Sequence, residues 1–145
     1  MNGPAVDVAN WLGVRARVEP ATLRPGKRGR IVVEVTVPEG GHVESHEPGE
    51  PWLIPTVLRV EVPPGLSVGD VEYPPAEERT FDWSPAALRV YRGTFELSAP
   101  LEADRSAPPG RVALVARVGY QGCTEALCLM PSEQAAEAWM EIVTE

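Results

Sequence analysis

The sequence contains two cysteines, Cys123 and Cys128, with four residues between them, in the segment Tyr120-Gln121-Gly122-Cys123-Thr124-Glu125-Ala126-Leu127-Cys128-Leu129-Met130-Pro131. Thiols at this spacing are open to three kinds of chemistry. As a permanent staple the pair would close a loop of about six residues, worth roughly 2 kcal/mol of chain entropy against about 4.7 for a 100-residue loop. As a metal site the two thiolates, joined by Met130 and by His42 or His46, would suit a soft ion such as Cu(I). There is no second cysteine pair, however, so the usual four-ligand zinc spacing is matched only once. As a reversible dithiol, a short-loop disulfide near a surface turn is accessible and gives up little stability on reduction, which suits thiol–disulfide exchange.

The elements that must position these thiols read as β-strands. Val112, Leu114, Ala116, Val118 and Tyr120 alternate along one long strand that runs directly into the cysteine segment. A hairpin there would set Cys123 and Cys128 opposite each other, with β-carbons about 4.5–5.5 Å apart, so a modest adjustment closes the bond. Upstream, Ile31, Val33, Val35 and Val37 alternate with Glu34 and Thr36, and Leu58, Val60 and Val62 alternate with Arg59 and Glu61. Shorter strands are expected over 14–18, 66–73 and 88–97. Residues 1–13 read as a lead-in, and 44–55 and 74–87 as long loops, the second carrying Phe81 and Trp83. In the final stretch, 132–138 favours helix by composition. The period-two pattern elsewhere instead predicts an irregular turn followed by a closing strand over 138–143.

Sixteen prolines and thirteen glycines are spread without a fixed period, with turn signals such as Pro63-Pro64-Gly65 and Pro108-Pro109-Gly110 between the strands. Together these predict a single all-β domain over 1–145, an antiparallel sandwich of about seven to nine strands. The formal net charge of −8 argues against a nucleic-acid partner. The basic group Arg24, Lys27, Arg28 and Arg30 reads as a solvated turn, because it lacks the interleaved aromatics of a single-strand platform. No apolar run reaches the roughly 18–20 residues of a membrane span, and MNGPAVDVANWLG shows no basic segment followed by an apolar one.

The cysteine segment resembles the active-site segment of the N-terminal periplasmic domain of the thiol:disulfide interchange protein DsbD family, through Tyr120-Gln121-Gly122-Cys123, Cys128 and Pro131. The likeness continues in family order through Pro38-Glu39-Gly40-Gly41-His42-Val43, Pro55-Thr56-Val57-Leu58, Pro63-Pro64-Gly65, Tyr73-Pro74 and Val90-Tyr91-Arg92-Gly93. The resemblance implies an immunoglobulin-like β-sandwich with the cysteines at one end. It also implies an extracytoplasmic, periplasmic domain, acting as a monomer without a cofactor. Such a domain takes electrons from a membrane-embedded donor of the DsbD or CcdA type and passes them to thioredoxin-like proteins through mixed disulfides. Carried over, Cys128 is the attacking thiol and Cys123 the resolving one. Tyr120, Gln121, Gly122, Pro131 and His42 would support the site, and Phe81 or Trp83 would form the tip of a cap loop that meets the partner. A protein-binding sandwich with a structural disulfide and a copper-handling protein are the readings from other classes.

Two residues bear on thiol reactivity. His42 near the sulfurs would favour the thiolate. Glu125 between them would oppose it by like-charge repulsion. The acidic loop thus predicts sluggish thiols until a partner docks. His42 and Glu44 stand where some family members carry a pair of tyrosines.

Overall fold

The computed structural model describes residues 11–84 and 86–144, and among them twelve strands form three four-stranded sheets. The fold is an all-β immunoglobulin-like sandwich. No helix among the described residues is long and apolar enough to cross a membrane.

The first sheet orders β1 (Gly13–Glu19), β3 (Arg28–Thr36), β9 (Thr94–Ala103) and β6 (Leu66–Val68). The second orders β2 (Thr22–Leu23), β12 (Ser132–Ile142), β10 (Gly110–Tyr120) and β5 (Val57–Glu61). Every pairing is antiparallel except the short one between β2 and β12. The alternating apolar positions face between these sheets: Ile31, Val33 and Val35 from one and Leu58, Leu114, Ala116 and Val118 from the other share one core. Val32 is equally buried on the opposite face of β3, where its cross-strand neighbours are Arg17 and Ser98.

The third sheet orders β11 (Gly122–Thr124), β4 (Gly41–Glu44), β8 (Leu88–Tyr91) and β7 (Glu77–Arg79). It is built from continuations of sandwich strands. β3 passes into β4 through a turn in which Gly41 N–H donates to the Pro38 carbonyl at 3.0 Å and Gly40 takes φ +81°. β10 passes into β11 across Gln121 alone, and β8 passes into β9 across Arg92 and Gly93. Strands from both layers of the sandwich thus meet at one end, and the cysteine segment is the edge of that meeting.

The structure corrects two expectations. Residues 132–138 are neither helix nor irregular turn: β12 is one strand, paired with β10 from Tyr120↔Ser132 to Gly110↔Ile142. Local helix preference is weak against eleven residues of ladder with a half-buried face. The single strand expected over 88–97 is two, because Gly93 at φ +67° interrupts the extended chain and β8 and β9 pair in different sheets, with β4 and β3. The additional strands β2, β4, β7 and β11 are two to four residues long, too short for a readable period. Residues 1–10 of the expected lead-in lie outside the described residues, whereas Leu12 is buried and Trp11 packs against the core.

Candidate functional site: a disulfide over a buried His–Glu pair

Cys123 and Cys128 form a disulfide and face each other as an antiparallel bridge with α-carbons 3.9 Å apart. The flanking bonds, Thr124 N–H to the Leu127 carbonyl at 2.7 Å and Leu129 N–H to the Gly122 carbonyl at 2.7 Å, make them a non-hydrogen-bonded pair. That is the close-approach geometry expected from a hairpin. The turn at its tip is held by the Thr124 hydroxyl, which accepts from Ala126 N–H at 3.2 Å and Leu127 N–H at 3.3 Å. Gln121 braces the base, its side-chain amide donating to the Leu129 carbonyl at 3.0 Å.

The two sulfurs sit in unlike surroundings. Cys123 is 0% exposed, since β11 is covered on its other side by β4. Cys128 is exposed, because its side of the hairpin has no further strand neighbour in the sheet. Trp11 forms the wall under the hairpin. It stacks with Tyr120 at 6.1 Å, and a β-carbon at either Gly122 or Gly41 would come within 2.6 Å of its ring. Both glycines are there for close approach rather than for backbone freedom.

On the opposite side of Cys123 lies a buried polar pair. Cys123 is in direct register with His42. His42 and Glu44, two positions apart on β4, share a face, and the donor atoms of His42, Glu44 and Cys123 all lie within 4.8 Å of one another. Among the described residues, these three form the cluster of His, Cys and carboxylate donors spaced closely enough to hold a metal ion. His42 Nε2 is 3.6 Å from Glu44 Oε1, beyond hydrogen-bond distance. His42 Nε2 and both Glu44 carboxylate oxygens are buried with no hydrogen-bond partner. The backbone around them is well tied: Thr56 Oγ1 donates to the Glu44 carbonyl at 2.6 Å.

The loop after β7 closes over this pair. Phe81 stacks on His42 with ring centroids 4.5 Å apart, and Trp83 stacks on Phe81 at 5.2 Å. With Leu53, Leu88 and Val90 they form a second apolar cluster separate from the sandwich core. Phe81 is therefore the ring against the histidine, and Trp83 stands one layer out.

Tyr91 ties the surrounding loops together, its hydroxyl accepting from His46 N–H at 3.4 Å and donating to the Pro74 carbonyl at 3.0 Å. Burial raises the pKa of that phenol, with the His46 bond opposing. His46 itself is engaged elsewhere, hydrogen-bonded to the Thr56 carbonyl at 3.0 Å and stacked on Tyr73. Met130 is 77% exposed, and Pro131 is exposed just before β12.

Charges frame the entrance. A cleft of about 470 Å³ beside the hairpin is lined by His42, Phe81, Glu77, Arg79, Arg92 and Glu125 among others. Glu77 receives two bonds from Arg92, at 2.8 and 3.0 Å, which hold its carboxyl below its ordinary pKa, with Arg79 adding to the effect. Arg79 also reaches Glu125 at 3.9 Å. The acidic residue between the cysteines is thus partly compensated, which the sequence alone did not reveal. Trp11 and the Glu77–Arg79–Arg92 group were likewise missed: a tryptophan in an unpatterned lead-in and charges in a three-residue strand carry no spacing signal.

Comparison with known proteins agrees with the fold and with the family expected from the sequence. Comparison with curated proteins finds no match. Among solved structures, the N-terminal periplasmic domain of ScsB from Proteus mirabilis superposes with TM-score 0.62 at 16% identity, over 92% of this chain and 48% of that one. The chain thus spans about half of the ScsB chain. The Neisseria meningitidis DsbD N-terminal domain in its reduced form gives TM-score 0.48 at 17% identity, over 85% and 86% of the two chains. A type I cohesin of ScaB from Pseudobacteroides cellulosolvens gives 0.52 at 7% identity over 91% and 93%, a likeness of sandwich architecture. The family model described as "Thiol:disulfide interchange protein DsbD, N-terminal" matches residues 10–138, a span that takes in the hairpin, the His–Glu pair and the aromatic loop. The chain therefore belongs to that family and is a thiol:disulfide interchange domain.

Proposed function

We propose that this domain relays electron pairs by dithiol–disulfide exchange, with Cys128 as the attacking thiol and Cys123 as the resolving one. The observation that carries the assignment is the unequal burial of the pair: Cys123 is 0% exposed and Cys128 is exposed. Exchange needs in-line approach of one sulfur to another, so an incoming protein reaches Cys128 first.

In the forward direction the Cys128 thiolate attacks a partner disulfide. A mixed disulfide forms and one partner sulfur leaves as thiolate. The Cys123 thiolate then attacks the Cys128 sulfur, the intramolecular disulfide closes and the second partner thiolate is released. Two electrons, with two protons overall, pass to the partner. The hairpin ladder keeps the sulfurs opposed, which makes the second step intramolecular and fast. The relay would run in an extracytoplasmic compartment such as the periplasm, from a membrane-embedded dithiol donor to thioredoxin-like acceptors. The domain would act as a single monomeric unit, and Phe81 with Trp83 would form the cap that a partner displaces.

The test uses Cys123→Ser and Cys128→Ser, each reduced. Each is mixed with a thioredoxin-like protein whose one retained active-site cysteine carries thionitrobenzoate. Cys123→Ser, which keeps Cys128, should release the chromophore and form a covalent complex. Cys128→Ser should react at least tenfold more slowly. Equal rates would overturn the assignment of roles. Failure of both, together with a wild-type disulfide that resists a glutathione buffer, would return the pair to a structural staple.

A further inference from the structure

We propose that reduction of the disulfide opens a four-donor site for a divalent d-block cation, with Zn²⁺ the best chemical match. The ligands are Cys123 Sγ, Cys128 Sγ, His42 Nε2 and a Glu44 carboxylate oxygen. The proposal rests on the pair being reducible, as exchange requires.

Three observations carry it. First, the donor atoms of His42, Glu44 and Cys123 already lie within 4.8 Å of one another, on a sheet that holds them in register. Two ligands about 2.0–2.2 Å from a tetrahedral zinc stand roughly 3.4 Å apart. The 3.6 Å between His42 Nε2 and Glu44 Oε1 is too long for a hydrogen bond and close to that spacing. Second, His42 Nε2 and both Glu44 oxygens are buried without a hydrogen-bond partner. Orphaned polar atoms at such depth call for a counterpart, and a carboxylate in an apolar surround is tolerated when it meets a cation. Third, the hairpin register holds Cys128 opposite Cys123, so the thiol freed with it is the natural fourth donor.

Redox state gates the site. In the disulfide neither sulfur is a thiolate, and only two good donors remain. A dithiol partner supplies two electrons and two protons to give two thiols. Binding of Zn²⁺ then displaces both thiol protons, forming two Zn–S bonds with no further change of oxidation state. Two thiolates and one carboxylate against the dication leave a net charge of −1 in the site. Because the ion binds the reduced form alone, it makes the dithiol harder to oxidise. Because it occupies the Cys128 sulfur, it suspends exchange until it is removed.

The experiment uses the whole chain, reduced with a non-thiol phosphine and freed of reductant, with Zn²⁺ as the probe and a chromophoric chelator as competitor. The expected result is one ion per chain for reduced protein and none for the disulfide form. Co²⁺ in place of Zn²⁺ should give thiolate charge-transfer absorption and the intense visible bands of a tetrahedral site. Glu44→Gln and His42→Gln should each weaken binding on the order of 100-fold or more, since even second-shell changes cost 10–100-fold. Affinity unchanged in both variants would reduce the site to a bare dithiol and overturn the proposal, as would equal uptake by oxidised protein or no uptake by reduced protein. Should a variant not fold, X-ray absorption of the zinc-loaded wild type decides the question. Two sulfur and two nitrogen or oxygen scatterers support the site; any other first shell overturns it. Normal covalent trapping through Cys128 without zinc uptake would defeat this inference and leave the exchange function standing, and the converse result would do the reverse.

Discussion

The indole of Trp11 lies directly against Gly122, one residue before Cys123, so closely that a β-carbon there would come within 2.6 Å of the ring. The same ring meets Gly41 on the neighbouring strand at the same distance. One aromatic residue ahead of β1 thereby seats both strands that present the cysteine and the histidine.

Alanine at Gly122 or Gly41 should force the indole out of this seat. Overpacking of this kind costs about 1–3 kcal/mol. The expected outcome is a lower midpoint in urea for each variant and faster reduction of the disulfide by a phosphine. A midpoint within error of wild type for both would show that the indole moves freely.

Phe81 is 7% exposed and stacked between His42 and Trp83. Its replacement by alanine removes most of a buried aromatic side chain, a loss of about 3–5 kcal/mol at a fully packed site. Phe81→Ala should therefore lower the unfolding free energy more than Trp83→Ala, because Trp83 is only half-buried. The order is checked by paired denaturation curves.

Glu44 buries two unpartnered carboxylate oxygens. Replacing a buried, unpaired polar group with an apolar one of similar size removes a desolvation penalty of about 1–3 kcal/mol. Glu44→Met should make the disulfide form more stable to denaturant by an amount in that range. A loss of stability would mean that the carboxylate is satisfied in solution.

Arg79 stands 3.9 Å from Glu125 in the cysteine hairpin. Exposed pairs of this kind contribute under about 1 kcal/mol, so neither Arg79→Gln nor Glu125→Gln should move the melting temperature much. Reactivity is the sensitive readout. Alkylation of reduced protein at fixed pH should be a few-fold faster in Glu125→Gln and a few-fold slower in Arg79→Gln, because negative charge near Cys128 disfavours its thiolate.

Acid should loosen β7 from β8. Arg92, and secondarily Arg79, hold the Glu77 carboxyl below its ordinary value. A group depressed in the folded state contributes stability that is fully present above its unfolded pKa, about 4.3, and that is lost as pH falls through the folded one. Amide exchange in 77–79 should speed up selectively below about pH 4, after correction for intrinsic rates, and Glu77→Gln should abolish that pH dependence.

Much of this was legible in the chain. Ile31, Val33, Val35 and the run Val112, Leu114, Ala116, Val118, Tyr120 recur every second residue, though Val32 and Val115 add apolar side chains to the other face, and period two predicts a strand. The cysteine spacing after a long strand placed a hairpin, and Cys123 and Cys128 do face each other across it. Residues 132–138 misled because helix preference is local, whereas β12 is decided by its ladder to β10.

By itself, then, the amino-acid order determined the all-β class, the sandwich strands and the dithiol with its family. The class and the strands follow from periodicity, turn chemistry and spacing, all of which act over a few residues; the family follows from the resemblance of an ordered set of short motifs. The tertiary structure alone decided which sulfur is exposed, that His42 and Glu44 lie beneath the other, and that Phe81 rather than Trp83 rests on the histidine. Those outcomes depend on β3 and β10, from opposite layers, both continuing into one small end sheet, so that residues some eighty positions apart become cross-strand neighbours at Cys123 and His42.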